Sequence, residues 1–243
     1  MTSHPFFRVV CGALFAILPC CGEGVPPSRD SRAASQTDSA FDGYEIFGAG
    51  FREISVPDAA HGLHGTLSRY HPQDIYESVP SAPKVVCLDI SGILERQTLR
   101  VEDEWINASG LLAKIDALPE AAVYERAKLA LVVPFPVDPQ PRVRYAPGCE
   151  SSRKILQREL VAWQCESVAE MELRLKNDLG NRGFGLEVVG LSESEKFTSA
   201  RGTPFVSLEQ SLEIFCVLVG GKAEISATEI KIVPFAILPA TAE

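Results

Sequence analysis

The chain has 243 residues and a formal net charge of −9 at pH 7, with 23 basic side chains against 32 acidic ones. An acidic chain without a basic run is poorly suited to neutralise nucleic-acid phosphates or to adsorb to anionic lipid, so neither is an expected partner. Acidic composition therefore indicates solubility and does not identify a ligand.

The first 24 residues have the build of an export signal. Arg8 precedes an unbroken apolar segment, residues 9–18, and small or polar residues follow it. A charged head, an apolar core of about ten residues and a small-residue exit are typical of a secretory signal peptide, and such a core is too short to span a bilayer. We therefore predict a signal peptide over residues 1–24 and a periplasmic, cell-surface or extracellular location.

Two cysteines close this segment. The sequence around Cys20 and Cys21 resembles the lipid-attachment box of bacterial lipoproteins, which makes both residues lipidation candidates. The match is partial, because the residue before each cysteine is Pro or Cys where the family has a small one. Ordinary cleavage after Gly22 or Gly24 is the alternative. The membrane is expected as a partner only through the signal or this lipid anchor.

Residues 25–40, VPPSRDSRAASQTDSA, hold a single large aliphatic residue and no aromatic one. A segment of this composition buries too little apolar surface to fold, so we predict a disordered linker. From residue 41 the composition is globular. About 200 residues are enough for a substantial core, and the prediction is a single domain over residues 41–243.

Four cysteines lie in this domain. In an exported protein they predict up to two disulfides. Cys87 and Cys216 lie in apolar, strand-like runs, whereas Cys149 and Cys165 flank a polar stretch, so environment favours the pairs 149–165 and 87–216. The alternative is that Cys87 and Cys216 are buried thiols. No CxxC pair occurs, which excludes a zinc ribbon.

Apolar runs between Pro and Gly residues predict strands through most of the domain. AEMELRLK alternates apolar and polar side chains, and LEIFCVLV is apolar on both faces, as a central strand is. Gly220 and Gly221 predict a hairpin that joins LEIFCVLV to AEISATEIKIV, and a phase change within the latter predicts a β-bulge near Thr228. Further strands are predicted at KLALVV, RVRY and FGLEVVGL.

Two segments fit a helix as well as a strand. Residues 119–130, PEAAVYERAKLA, begin with a Pro at a plausible first helical position, and residues 152–164, SRKILQRELVAWQ, place apolar side chains at helical spacing. Strands still dominate. Short strands at regular intervals, with Pro and Gly turns between them, predict an all-β fold: an antiparallel β-sandwich, jelly-roll-like, with one or two short helices inserted.

The order of several features resembles exported jelly-roll modules of the galactose-binding type, which include many carbohydrate-binding modules. Tyr124 opens one strand, Trp163 ends another segment, and AEMELRLK and GFGLEVVGL follow with plausible gaps. The closing strand carries Glu187 where such modules often have Asp. The resemblance implies a jelly-roll fold and a carbohydrate ligand, and it assigns no binding residue.

The histidines of the domain fall in one window, DAAHGLHGTLSRYHP. His61, His64 and His71, with Asp58 just upstream, supply the residue types that bind zinc or copper. Gly and Pro residues in the window predict a loop rather than the helical HExxH motif of metalloproteases. The cluster is either a metal site or three polar residues on a solvated loop.

Trp105 is the candidate for an exposed aromatic platform. It follows Glu102 and Glu104, and an exposed indole beside carboxylates suits the stacking and hydrogen bonding of a sugar. Paired carboxylates also serve glycoside hydrolysis, but no second wall of a catalytic site is visible, and a solvated charged edge is the alternative.

These observations favour a non-catalytic, exported domain that binds a ligand at the cell surface, with carbohydrate as the leading class. The expected partner is a polysaccharide or another envelope component. The nucleotide-binding loops and the G-x-S-x-G elbow that would indicate common enzymes are missing from the sequence. The alternatives are a metal-binding protein or metal-dependent enzyme that uses His61, His64 and His71, and a structural envelope lipoprotein with no small ligand.

Overall fold

A computed structural model describes residues 39–48, 52–70, 83–90, 92–126, 128–162, 167–189, 198–199 and 205–235. All of them belong to the second of two compact units, which covers Thr37–Glu243. The predicted signal peptide, the lipidation candidates Cys20 and Cys21, and nearly all of the predicted linker lie outside the described residues.

The described residues form helices and strands in alternation along the chain. The helices are α1 (Val56–Tyr70), α2 (Ala108–Asp116), α3 (Glu150–Arg158), α4 (Val168–Gly180) and α5 (Leu208–Leu218). The strands before α3 are β1 (Glu45–Phe47), β2 (Ile54–Ser55), β3 (Lys84–Asp89), β4 (Thr98–Leu99), β5 (Trp105–Asn107), β6 (Ala122–Arg126), β7 (Leu129–Val133) and β8 (Val143–Tyr145). The strands after it are β9 (Leu160–Ala162), β10 (Gly185–Val188), β11 (Thr198–Ser199), β12 (Phe205–Ser207), β13 (Gly221–Ile225) and β14 (Glu229–Pro234).

Two mixed four-stranded sheets organise the domain. The first has the strand order β11-β3-β7-β6, with β3 parallel and β6 antiparallel to β7. The second has the order β10-β14-β13-β8, with β10 parallel and β13 antiparallel to β14. Shorter antiparallel pairs join β1 to β5, β9 to β12 and β2 to β4. Parallel pairs need crossover connections, which here contain helices.

The first sheet is buried on both faces. Val85, Cys87 and Val132 point toward α1 and α2 and share one core with their apolar side chains. Val86 and Leu131 point the other way, into a second core that includes α4, α5 and the inner face of the second sheet. Strands covered on both faces are apolar throughout, and all five residues of β7 are buried.

The prediction of an all-β jelly-roll sandwich is wrong, because two of its main strands are helices. AEMELRLK belongs to α4, which buries Met171 and Leu175 but leaves Leu173 61 % exposed, as helical spacing requires. LEIFCVLV belongs to α5, whose residues are buried almost all round because the helix lies in the larger core. The jelly-roll fold that the resemblance implied is therefore not what the described residues form.

The hairpin predicted at Gly220 and Gly221 is also wrong. Gly220 has φ 62° and ends α5, a conformation that favours glycine after a helix. The hairpin joins β13 to β14 instead, and Ser226 donates to the carbonyl oxygen of Glu229 across its turn. A turn therefore stands where the bulge near Thr228 was predicted. Because it begins a new strand, the apolar residues before it, Ala223 and Ile225, and those after it, Ile230 and Ile232, all reach the same core.

Three other predicted strands are confirmed, and the structure shows which of the two ambiguous segments contain helix and which contain strand. KLALVV, RVRY and FGLEVVGL contain β7, β8 and β10. Residues 119–130 contain β6 and the start of β7, and residues 152–164 contain most of α3 and then β9.

The domain is built from two similar halves. In the first, α1, β3, β5, α2, β6 and β7 come in this order, with β4 between β3 and β5. In the second, α4, β10, β12, α5, β13 and β14 repeat the order, with β11 between β10 and β12, and β10, β14 and β13 pair as β3, β7 and β6 do. From β5 onward the equivalent residues differ by 100 in number, and the sequence VVPF at 132–135 returns as IVPF at 232–235. Such internal self-similarity is typical of repeat architectures, in which one unit covers the next.

Candidate functional site

Trp105 is the exposed aromatic that the sequence predicts. It begins β5 and is 58 % exposed, whereas the next residue, Ile106, is buried in the core under α1 and α2. The alternation of a strand accounts for this arrangement, because successive side chains point to opposite faces. The inward Ile106 anchors the strand, and the indole is held outward.

Phe47 fixes the position of the indole. It lies directly opposite Trp105 in the antiparallel ribbon of β1 and β5. The two ring centroids are 5.4 Å apart at an interplanar angle of 63°. Edge-to-face aromatic pairs of this kind contribute about 0.5–1.5 kcal/mol beyond their buried area. The exposed ring therefore has a preferred orientation before any ligand arrives.

A close backbone approach holds the edge of this ribbon. The N–H of Gly48 donates to the carbonyl oxygen of Glu104 at 2.7 Å. A Cβ atom at Gly48 would lie 2.4 Å from the carbonyl oxygen of Asp103, too close for any side chain. Glycine is required at position 48 because the backbone of the segment before Trp105 packs directly against it.

The opposite end of the ribbon carries a second aromatic pair. The hydroxyl of Tyr70, the last residue of α1, donates to the carbonyl oxygen of Glu45 at 2.9 Å. Its ring stands edge-on to Tyr44 at 5.5 Å and is 52 % exposed. The ribbon thus presents an aromatic group at each end, Trp105 with Phe47 at one and Tyr70 at the other. We call this surface the Trp105 ribbon.

Asn107 joins the ribbon to α2. Its side-chain oxygen accepts from the N–H of Gly110 at 2.6 Å and so caps the helix. A Cβ at Gly110 would lie 2.5 Å from that oxygen, so glycine leaves room for the cap. The cap fixes where the strand ends and the helix begins, two residues after Trp105.

The predicted carboxylates lie beside the indole on the surface. Glu102 and Glu104 are both exposed. Glu102 pairs with Arg100 at 3.6 Å, and Asp103 pairs with Lys114 at 4.0 Å. Exposed pairs of this type contribute little stability, so these groups are free to exchange partners with a ligand.

The histidine window belongs to helix α1 as far as Tyr70, so the prediction of a loop over these residues is wrong. Asp58, His61 and His64 all lie on α1, and His71 lies outside the described residues. Asp58 accepts a hydrogen bond from the hydroxyl of Ser55 at the start of the helix. Within the part of the chain that the structure describes, no three His, Cys, Asp or Glu side chains converge as a metal site.

His64 has an unusual environment for a histidine. It is partly buried, and its Nδ1 atom has no hydrogen-bond partner. Burial, followed by the charges of Lys84 and His61, lowers the pKa of His64 to about 4. The side chain is therefore neutral at physiological pH, and nothing in its surroundings rewards a charge.

The predicted disulfide between Cys87 and Cys216 is not formed. Both are free, buried thiols, and they belong to the two different cores on opposite faces of the first sheet. Burial raises the pKa of each thiol, which makes both unreactive. Cys149 is also free and buried, and Cys165 lies outside the described residues.

A buried polar group that the sequence did not predict links the two halves. Glu213 of α5 is 5 % exposed and accepts hydrogen bonds from the hydroxyl of Tyr124 on β6 and from the N–H of Arg142 at 2.9 Å. The Arg142 guanidinium lies over the ring of Phe235 at 3.7 Å. The sequence holds one signal for this group, a lone Glu within an otherwise apolar helical run.

The outer face of the second sheet carries a row of alternating charges. Adjacent strands align Glu187, Lys231, Glu224 and Arg144 in that order. Lys231 pairs with Glu187 at 3.2 Å, and Lys222 pairs with Glu224 at 2.7 Å and lowers the pKa of that carboxyl group. A shallow pocket of about 410 Å³ opens on this face. The paired charges indicate a solvated face.

Comparison with protein-family models, with curated proteins and with solved structures finds no match to this chain. Among the described helices, none has the length and apolar character needed to cross a membrane.

Proposed function

We propose that this chain is an exported, non-catalytic binding domain whose Trp105 ribbon binds carbohydrate. The observation that carries the proposal is that Trp105 is 58 % exposed and yet held in a fixed orientation by Phe47. Exposing a large apolar ring to water is unfavourable for the free protein. Holding the ring in one orientation favours recognition, because less conformational freedom is lost when a ligand binds.

The chemistry of the ribbon suits a sugar. The apolar face of a pyranose ring stacks on an indole, and its hydroxyls donate to carboxylates such as Glu102 and Glu104. Tyr70 at the far end gives a second aromatic contact for a longer chain of sugar units. The acidic surroundings favour neutral or amino sugars over uronic acids, because like charges repel.

Export is the second part of the proposal, and it depends on the sequence alone. The charged and then apolar start of the chain and the polar segment after it are typical of exported proteins. The intact mass of the mature protein from its native host tests this part. Loss of the first 22 or 24 residues, or cleavage just before Cys20 or Cys21 with acyl groups on that new N-terminal cysteine, agrees with it, and a full-length chain in the cytosol contradicts it.

Binding is tested by sedimentation of the purified protein with insoluble cellulose and chitin. We expect retention on at least one of them, with removal by the matching soluble hexasaccharide. Trp105→Ala should weaken retention by at least about thirtyfold, which is about 2 kcal/mol, because a central aromatic contact is lost.

Leu173→Ala is the matched control, since Leu173 is 61 % exposed on α4, away from the ribbon. It should bind like the unmodified protein. Equal retention of the Trp105→Ala variant, with an unchanged melting temperature, would show that the ribbon is not the binding surface.

A further inference from the structure

We infer that the second half of the domain carries a second carbohydrate site, centred on Phe205, so that one chain binds a polysaccharide at two points. This inference rests on the proposed function of Trp105 and extends it. Phe205 is 60 % exposed and begins β12, as Trp105 begins β5.

The two ribbons share their strand pairing and register, although Phe205 lies opposite Ala162 where Trp105 lies opposite Phe47. In the first, Phe47 lies opposite Trp105 and Glu45 opposite Asn107. In the second, β9 lies antiparallel to β12 with Phe205 at the equivalent position of the register. The residue that follows each exposed aromatic, Ile106 or Val206, is buried and anchors its strand.

The junction with the helix is also the same. Two residues after the aromatic, Asn107 caps α2 and Ser207 caps α5. The first helical N–H then donates to the residue before the paired strand: Ala108 to the carbonyl oxygen of Tyr44 at 2.8 Å, and Leu208 to that of Glu159 at 2.9 Å. Phe205 is therefore the counterpart of Trp105 by three criteria: the strand pairing, the helix cap and the hydrogen bond from the first helical N–H.

Equivalent positions elsewhere in the two halves were free to diverge. On the face that points away from the helices of its own half, the first sheet carries Leu131 and the second carries Lys231. Leu131 is covered by the second half, whereas Lys231 faces water. The exposed aromatic position does not follow this rule. Both copies face water, and both keep a large aromatic ring there at more than half exposure. Solvation alone favours a polar residue at such a position.

The two sites would act together on one long ligand. A single exposed aromatic ring gives weak binding, but after one site has bound a polysaccharide, the second meets the same chain at a high effective concentration. The expected ligand class is therefore a polymer, and short sugars should bind each site independently and weakly.

Isothermal titration calorimetry of the intact protein with the trisaccharides of glucose and of N-acetylglucosamine tests the inference. We expect two sites per chain for the unmodified protein and for Leu173→Ala, one for Phe205→Ala, one for Trp105→Ala and none for the double variant. On the insoluble polysaccharide, Phe205→Ala should lose at least about tenfold in retention, Trp105→Ala at least about thirtyfold as stated above, and the double variant should lose all of it.

The outcomes separate the two proposals. A single site that Trp105→Ala removes and Phe205→Ala leaves intact would overturn the second site and keep the first. Absence of binding by the unmodified protein to both sugars and both polysaccharides would overturn the proposed function and this inference with it. Melting temperatures within about 2 °C of the unmodified protein show that each variant is folded.

Discussion

Among single residues, exposure separates Trp105, which we propose as a ligand contact, from His64, which affects the stability of the fold. Trp105 and His64 are both unusual, one as an indole in water and the other as a histidine with an unpartnered nitrogen. Only the first can meet a ligand. The second affects stability, through the different pKa of its ring in the folded and unfolded chain.

His64 predicts a loss of stability in mild acid. Its pKa is about 4 in the folded protein against an ordinary value of 6.5, so the unfolded chain binds the extra proton between these values. Stability is therefore full above about pH 6.5, falls as the pH drops toward 4, and falls no further through this group below that. The expected loss is about 2–3 kcal/mol. Urea unfolding at several pH values measures it.

His64→Leu should flatten this pH dependence between 6.5 and 4, because the titrating group is gone. His61→Leu is the matched control on the same helix, since His61 is exposed. The interpretation is wrong if the two variants keep the same slope of unfolding free energy against pH.

Gly48 gives a second prediction at this scale. A Cβ at this position would lie 2.4 Å from the carbonyl oxygen of Asp103, so Gly48→Ala must push β1 and the segment before Trp105 apart. We expect weaker sugar binding by about tenfold with a modest loss of stability, because the Phe47–Trp105 pair is disturbed. Gly65→Ala is the control, as its Cβ would meet no atom within 4 Å.

At the scale of elements, α5 decides how the two halves are joined. It packs on β13 of its own half, and its Glu213 contacts Tyr124 on β6 of the other. The equivalent residue of α2 is Ala113, which faces water. A carboxylate is acceptable at the buried position because it has two donors, the Tyr124 hydroxyl and the Arg142 N–H.

Removing this carboxylate should be costly. Glu213→Ala leaves the buried N–H of Arg142 without its acceptor and leaves the Tyr124 hydroxyl only the carbonyl oxygen of Gln140 at 3.2 Å, and we expect a loss of about 2–4 kcal/mol in the free energy of unfolding. Glu213→Gln keeps an acceptor of nearly the same shape and should lose less. Glu209→Gln is the control, because the Tyr145–Glu209 hydrogen bond lies nearer the surface. Equal losses for Glu213→Ala and Glu213→Gln would contradict the role of hydrogen bonding.

The helices α4 and α5 also show where sequence patterns reach their limit. AEMELRLK satisfies a strand with Met171, Leu173 and Leu175 on one face, and it satisfies a helix with Met171, Leu175 and Leu179 on one face. Only the exposed Leu173 distinguishes the two, and that exposure is a tertiary fact. α5 is apolar all round because it lies in a core, and a short apolar run has no period that separates helix from strand.

The sequence did identify Trp105, because an aromatic among charges points to exposure, and it did identify β7, whose residues are apolar without interruption. It also contained the repeat, visible in VVPF and IVPF 100 residues apart. With that repeat recognised, Phe205 and the shared order of elements are predictable. Glu213 and its partners are not, since 89 residues separate Glu213 from Tyr124.

Within the described part of the molecule, the second sheet is the last of the packed layers. Its inner face is apolar and packs on α4 and α5, whereas its outer face carries the charged row of Glu187, Lys231, Glu224 and Arg144. A terminal repeat with a polar outer face is what prevents further units, or other copies, from adding to a stack.

The equivalent positions Leu131 and Lys231 test this account in opposite directions. Leu131→Lys places an unpaired charge in the core and should cost about 3–5 kcal/mol. Lys231→Leu together with Glu224→Leu should leave stability nearly unchanged but promote self-association through the uncovered sheet. Urea unfolding and light scattering after size exclusion measure the two effects. A monomeric double variant would contradict the capping role of the charged row.

A sugar that stacks on Trp105, as we propose, changes the environment of the indole, which fluorescence detects. The chain has two tryptophans, so in a Trp163→Phe variant all indole emission comes from Trp105. Titration with the β-1,4-linked hexasaccharides of glucose and N-acetylglucosamine should change this emission in a saturable way and protect the indole from quenching by iodide. Emission and quenching that stay unchanged, in a protein that still sediments with the polysaccharide, would contradict the claim.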